Sequence, residues 1–147
     1  MAFSWLDNQV SAELLKLAES VARATGALLI NRPDSFTLTE KSSAVDFATQ
    51  MDKAAEEMIV SKLLSARPDD GIIAEEGSSQ ESKSGITWVI DPIDGTVNYL
   101  YGLPGWNISI AAKDKDGVLV GVVYAPTLNS FWSAARGAGA TCNGRKI

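Results

Sequence analysis

Two aspartates three residues apart, Asp91 and Asp94, stand where an apolar segment ends and a turn begins. Residues 86–90 are mostly β-branched or aromatic, which predicts a buried strand. Pro92 fixes φ and removes a backbone donor, so the chain must turn, and the turn can bring both carboxylates to one side. Because two such charges repel unless a cation lies between them, the pattern predicts a site for Mg²⁺ or Mn²⁺.

The residues around these aspartates could hold a phosphate beside the metal. Gly95 lets the backbone approach a ligand closely, and residues 96–100 are predicted to form a short helix whose first N–H groups face an anion. The Ile93 backbone carbonyl is a further candidate metal ligand. The alternative, an Asp-rich structural turn, is typical of a lone Asp-Gly pair rather than of the whole D-P-I-D-G-T segment. We therefore interpret the segment as a metal-dependent phosphate site.

Residues 91–99, D-P-I-D-G-T-V-N-Y, resemble the signature of the inositol monophosphatase family of Mg²⁺-dependent, lithium-sensitive phosphatases. Residues 72–77 (I-I-A-E-E-G) and 137–144 (G-A-G-A-T-C-N-G) fall where that family would place them, so the likeness covers nearly the whole chain. Of the two adjacent acids, only one can point into the site if the strand continues. The resemblance makes Glu75 the metal ligand and the base that orients water, with Glu76 outside the ligand set.

The resemblance implies phosphomonoester hydrolysis by a water molecule that Mg²⁺, or alternatively Mn²⁺, activates. The implied metal ligands are Glu75, Asp91, Asp94 and the Ile93 carbonyl, and the implied phosphate donors are the amides of Gly95 and Thr96. Glu75 and Thr96 would orient the water, and a second ion would stabilise the departing alkoxide. The expected substrate is inositol 1-phosphate or a related sugar-alcohol phosphate, with histidinol phosphate and fructose 1,6-bisphosphate as alternatives.

Two further residues have both a structural and a functional interpretation. Thr49 to Asp52 has the T-x-x-D form of a helix N-cap, which would explain Asp52 without any catalytic role. The resemblance adds a role in catalysis, in which Asp52 orients Thr96 and the attacking water. Lys41 is either a solvated residue near a hairpin tip or, by the resemblance, a loop lysine that reaches toward the metal site. Both pairs of interpretations stay open here.

Composition limits the classes of function. The 147 residues are 46% hydrophobic and 21% charged, which is ordinary for one soluble domain. A net charge of -5 argues against nucleic acid or an anionic membrane as the main partner. The absence of histidine excludes Ser-His-Asp and Cys-His catalysis and histidine-ligated zinc. With one cysteine, Cys142, no signal peptide and no apolar span, we expect a cytoplasmic protein. The family resemblance implies a small phosphate monoester as its partner.

The predicted fold class is α+β, with an antiparallel sheet and two long helices on one face. Residues 11–31 carry an apolar stripe at helical spacing, and a second helix is predicted from Thr49 to Ala66. Residues 36–41 and 45–49 alternate apolar and polar residues, which predicts a small hairpin. The remaining predicted strands are residues 72–74, 86–90, 106–113, 118–125 and 130–135, with a hairpin turn at the Asp116-Gly117 pair.

The extent of the chain shapes the functional expectation. By the resemblance, residues 1–147 look like the N-terminal metal-binding domain of a layered sugar-phosphatase sandwich, without the C-terminal domain that supplies a further aspartate and much of the alcohol site. The complete enzyme would be a homodimer. The alternative hypothesis is a catalytically incompetent, truncated domain that binds metal or a partner protein.

Overall fold

The computed structural model describes residues 5–31 and 41–147, which form two long helices packed on one face of a sheet. Helix α1 is Trp5–Ile30 and α2 is Lys41–Ala66. The strands are β1 (Gly71–Ala74), β2 (Ser79–Gln80), β3 (Thr87–Asp94), β4 (Asn107–Asp114), β5 (Gly117–Ala125), β6 (Ser130–Ala135), β7 (Gly139–Cys142) and β8 (Arg145–Lys146). A short helix, α3 (Thr96–Leu100), follows β3, and a 3₁₀ turn at Pro126–Leu128 precedes β6.

The eight strands form one sheet in the order β2-β1-β3-β4-β5-β6-β7-β8. All neighbours are antiparallel except β1 and β3, which run parallel. The predicted α+β class with helices on one face is therefore confirmed, with one parallel pair inside the sheet. That pair matters for the site, because the ends of β1 and β3 carry Glu75 and Asp91 to the same edge.

The core lies between the helices and the sheet. Alternate residues of β3 and β4 face the helices and are buried, as expected for strands with one covered face. The buried apolar side chains include Leu14, Ala18, Val21 and Leu29 from α1, Ala55, Ile59 and Leu63 from α2, and Trp88, Ile90, Ile108, Ile110, Val120, Val122 and Phe131 from the sheet. This core fixes the position of α2 relative to β1 and β3.

The hairpin predicted around residues 42–44 is wrong where the structure can test it. Residues 45–49, its second arm, are part of α2, and Lys41 begins that helix instead of lying near a hairpin tip. Residues 36–40, most of the first arm, lie outside the described residues. Ala48, Asp52 and Ala55 are buried at helical spacing, so packing against the core continues the helix upstream of the expected start. Thr49 is accordingly inside the helix and is not its N-cap.

No helix in the described ranges combines the length and the hydropathy needed to cross a bilayer.

Candidate metal and phosphate site

The end of β3 carries most of the predicted site, and an irregularity in the sheet shapes it. β3 pairs with β4 in regular register up to Asp91, opposite Ser109, and the register then shifts before Asp94 meets Asn107. Such a shift bends the strand and redirects the side chains that follow it. Asp91 is half-buried at this bend, whereas Asp94 is exposed. The predicted turn is therefore a bulged strand end.

Glu75 reaches the same edge from β1. Its backbone N–H donates to the Ile90 carbonyl over 3.1 Å, which ties the residue after β1 to the residue before Asp91. Burial, followed by the charges of Glu75 and Asp94, raises the pKa of Asp91, and a hydrogen bond from the Ile93 N–H partly offsets this. The structure thus brings the predicted carboxylates Glu75, Asp91 and Asp94 into electrostatic contact.

Asp52 approaches the same group of acids from α2. Its side chain is 7% exposed, and its Oδ1 atom has no hydrogen-bond partner among the described residues. Burial raises the pKa of Asp52 to about 7, with further contributions from Glu76, Asp91, Glu56 and Glu75. An unpartnered buried carboxylate oxygen is costly, so it is a position where a cation or water would be stabilised.

Gly95 and α3 form the side of the site that would face phosphate. Gly95 has φ 85° and ψ 43°, a left-handed conformation that glycine adopts without strain, and it immediately precedes α3. The Thr96 hydroxyl donates to the Ile93 carbonyl over 3.1 Å. Since a hydroxyl has one proton, Thr96 does not also donate to Asp52 in this arrangement, but the carbonyl keeps a second lone pair for a metal.

The core holds α3 in place through Tyr99, which is 1% exposed. Its hydroxyl donates to the Leu29 carbonyl over 2.9 Å, at the end of α1, and its ring meets Trp106 edge-on with centroids 5.0 Å apart. The amides at the start of α3 are thereby positioned by two buried aromatic contacts rather than by a mobile loop.

The donor set suits a hard divalent cation in its chemistry, because it consists of carboxylates and a backbone carbonyl. Among residues whose side chains the structure describes, no three Asp, Glu or Cys side chains are already arranged to hold an ion by themselves. The carboxylates repel one another, as the raised pKa of Asp91 indicates. The chemistry of Glu75, Asp91, Asp94 and the Ile93 carbonyl therefore suits a hard divalent cation, but the described side chains do not by themselves form a complete ion site.

Two contacts at the site could not be anticipated from local sequence patterns. Asn107 donates from Nδ2 to Asp94 Oδ2 over 3.2 Å and so fixes one oxygen of that carboxylate. Glu56, 3% exposed on α2, accepts hydrogen bonds from the segment that follows Glu75. In the sequence, Glu56 is marked only by being an acid at a position of α2 that should be buried. No sequence pattern points to Asn107. The side chain of Lys41 lies outside the described part of the structure, so its proposed reach toward the site stays a prediction.

A prediction about pH follows from Asp52. Because Asp52 keeps its proton to a higher pH in the folded chain than in the unfolded chain, the folded state binds more protons between about pH 4 and 7. Stability of the chain in EDTA should therefore fall by about 2 kcal/mol between pH 5 and 8, and Tm by about 5 °C. Thermal melts monitored by circular dichroism measure this change.

The matched variants for that experiment are Asp52→Asn and Asp46→Asn. Asp52→Asn should reduce the pH dependence to the smaller part that Asp91 contributes, whereas Asp46→Asn removes an exposed acid from the same helix and should retain the wild-type slope. A Tm that rises from pH 5 to 8, or an equal slope in Asp52→Asn and wild type, would contradict the assignment.

Comparison with known proteins places this geometry in a family. The model of the inositol monophosphatase family matches residues 11–147. A Nus factor SuhB of Pasteurella multocida is 41% identical over 138 residues, covering 91% of this chain and 51% of that protein. A fructose-1,6-bisphosphatase/inositol-1-monophosphatase of Thermotoga maritima is 39% identical over 136 residues, covering 90% and 52%. The chain thus spans about half the length of these curated relatives.

Solved structures give the same result at the level of the fold. The extragenic suppressor protein suhB of Bartonella henselae superposes with a TM-score of 0.78 at 29% identity, covering 92% of this chain and 53% of that one. An inositol monophosphatase of Anabaena superposes with a TM-score of 0.75 at 31% identity, covering 92% and 49%. From the family model and these likenesses together, the chain belongs to the inositol monophosphatase family.

Proposed function

We propose that this chain is the metal-binding part of a Mg²⁺-dependent phosphomonoesterase. The observation that carries the proposal is geometric: the hydrogen bond from the Glu75 N–H to the Ile90 carbonyl brings Glu75 to the end of β3 that carries Asp91 and Asp94. Burial, followed by the charges of Glu75 and Asp94, raises the pKa of Asp91 there. The repulsion between these carboxylates destabilises the folded chain, and a bound divalent cation would relieve it. Family membership supports phosphatase chemistry and metal dependence, without specifying the metal or the substrate.

We assign roles to the chain's own residues from the family resemblance. Glu75, Asp91, Asp94 and the Ile93 carbonyl would bind Mg²⁺, with Mn²⁺ as a substitute. A bound divalent ion would supply Lewis-acid stabilisation of the phosphoryl oxygens and activation of water. Glu75 would accept the proton of the attacking water, with Asp52 nearby as a second acid. The amides of Gly95 and Thr96 would donate to the phosphate oxygens and hold phosphorus in line for attack.

The proposed substrate is inositol 1-phosphate or a related sugar-alcohol phosphate. The names of the Anabaena structure and the Thermotoga maritima relative favour this class, and the latter name also keeps fructose 1,6-bisphosphate as an alternative. Lithium sensitivity and a homodimeric complete enzyme, both implied by the family resemblance, belong to the same proposal.

Phosphate release tests the proposed reaction. The chain is incubated with inositol 1-phosphate, fructose 1,6-bisphosphate or histidinol phosphate, in Mg²⁺ and separately in EDTA. We expect release that requires Mg²⁺ and is fastest with inositol 1-phosphate, and a loss of at least about 100-fold in Asp94→Asn. Unchanged release in EDTA, or unchanged turnover in a folded Asp94→Asn variant, would contradict the proposal.

A second candidate function is favoured by the names of several relatives, which are Nus factors SuhB. In that case the folded chain would act through a partner and not through hydrolysis, as the hypothesis of a catalytically incompetent domain also requires. The phosphate assay separates the two candidates. Mg²⁺-dependent release favours the phosphatase, whereas a folded chain that binds Mg²⁺ and releases no phosphate favours a binding role.

A further inference from the structure

Glu56 is a buried acid with no place in the reaction proposed above. It lies one helical turn after Asp52 on α2 and is 3% exposed. A buried carboxylate is costly unless its oxygens are hydrogen-bonded. Glu56 meets this requirement entirely through one short segment, the four residues that follow β1.

Three hydrogen bonds connect Glu56 to that segment. Its Oε1 accepts from the Glu76 N–H over 2.8 Å, and its Oε2 accepts from the Ser78 N–H over 3.1 Å and from the Ser78 hydroxyl over 2.6 Å. A carboxylate offers only acceptors, so it matches three donors without conflict. Bonds to charged groups are stronger than bonds between neutral groups, which makes this an effective clamp from α2.

Glu75 lies between this clamp and the sheet. On one side its own N–H donates to Ile90, the residue before Asp91. On the other side Glu56 holds the next residue, Glu76, and then Ser78. The segment also closes on itself, because the Ala74 N–H donates to the Ser78 carbonyl over 3.1 Å. The backbone of Glu75 is therefore fixed relative to Asp91 by β3 and, independently, by α2.

We infer that Glu56 is a positioning residue that holds the Glu75 segment in place for metal binding. This inference rests on the proposed function, since it takes Glu75 as a metal ligand. Groups that orient metal ligands typically change metal affinity by about 10- to 100-fold when they are replaced. A purely structural Glu56 would instead lower thermal stability and leave the affinity for metal unchanged.

The test is Mn²⁺ binding to the whole chain, followed by electron paramagnetic resonance of free Mn²⁺. Glu56→Gln has one acceptor oxygen and an amide that must face an N–H or hydroxyl donor, so the segment can no longer keep all three bonds. We expect its Kd for Mn²⁺ to be about 10- to 100-fold higher than that of wild type. Glu57→Gln removes the same charge from the adjacent exposed position and should change Kd by less than about threefold.

Ser78→Ala gives a second route to the answer if Glu56→Gln does not fold. It removes only the 2.6 Å hydroxyl bond and leaves the carboxylate and both N–H donors in place. We expect a smaller rise in Kd, about three- to tenfold, with circular dichroism unchanged. Wild-type affinity in folded Ser78→Ala when Glu56→Gln is unfolded would overturn the inference.

The remaining outcomes separate this inference from the proposed function. Wild-type Mn²⁺ affinity in a folded Glu56→Gln variant, even with a lower Tm, overturns the positioning role alone. Equal weakening in Glu56→Gln and Glu57→Gln attributes the effect to net charge and also overturns it. A wild-type chain that binds no Mn²⁺ contradicts the metal site itself and overturns both proposals.

Discussion

Replacing Asp91 with Asn is expected to weaken Mn²⁺ binding at pH 8 by at least about 100-fold while leaving Tm in EDTA unchanged or higher. Both effects have one cause. Burial and the neighbouring charges of Glu75 and Asp94 raise the pKa of Asp91, so its charged form destabilises the folded chain at any pH above that pKa. Asn removes this cost together with the charge that would bind the cation.

The combination of the two effects identifies Asp91 as a functional residue. Replacing a residue that stabilises the fold lowers the stability of the protein. Replacing an acid that serves metal binding instead lowers the affinity for metal, and the stability of the protein stays the same or rises. The control is Asp116→Asn in the turn between β4 and β5, which lies at the opposite end of β4 from Asn107. Titration calorimetry and thermal melts measure both quantities. Unchanged affinity in Asp91→Asn, or a Tm lower by several degrees, would contradict the assigned role.

Replacing Gly95 with Ala should lower the free energy of unfolding by about 3 kcal/mol and Tm by about 9 °C. Part of this cost is conformational, because φ is 85°. The rest is steric, since an added Cβ would lie 2.6 Å from the Gly105 carbonyl oxygen and 3.2 Å from Trp106 Cα. Both atoms belong to the backbone, so the clash can be relieved only by moving the chain beside α3.

Gly144→Ala measures the conformational cost alone, so the difference between the two variants gives the steric part. Gly144 has φ 79°, close to that of Gly95, but an added Cβ there would meet nothing within 4 Å. It should therefore cost only about 1 kcal/mol. Gly95→Ala should in addition reduce phosphate release by more than its stability loss explains, because the amides of Gly95 and Thr96 move. Equal losses of stability in the two variants would contradict the close approach at Gly95.

The strands were predictable because their patterns are local. β6 has the predicted bounds, β5 begins one residue before its predicted start, and β4 lies one residue later than predicted at both ends. Alternation and an Asp-Gly turn mark these strands directly. β7 and β8 were not predicted as strands. β7 contains a glycine and β8 is only two charged residues long, so pairing with β6 and with each other, rather than local preference, makes them strands.

The start of α2 shows where local patterns are insufficient. Residues 45–49 alternate as a strand would, but Phe47 and Ala48 also lie on the face that Asp52 and Ala55 continue. Over only five residues, the two-residue period of a strand and the 3.6-residue period of a helix fit the sequence equally well. Packing against the core decides between them. The predicted cap at Thr49 failed for the same reason.

Candidate residues for the site could be proposed from the sequence, whereas their supporting contacts could not. The spacing of Asp91, Asp94 and Gly95 is contained in one short segment, so its chemistry could be inferred directly. By contrast, Glu56 contacts Ser78 across 22 residues and Asn107 contacts Asp94 across 13, and both contacts depend on how helix and strands assemble. Such contacts exist only in the folded chain.

The most direct test of the central claim is the position of Mn²⁺ in a crystal of this chain, determined from anomalous scattering. The account predicts an anomalous peak at the edge formed by β1 and β3, at about 2.0–2.3 Å from carboxylate oxygens of Glu75 and Asp91 and from the Ile93 carbonyl. A peak elsewhere, or no peak in a crystal with Mn²⁺ at saturating concentration, would contradict it.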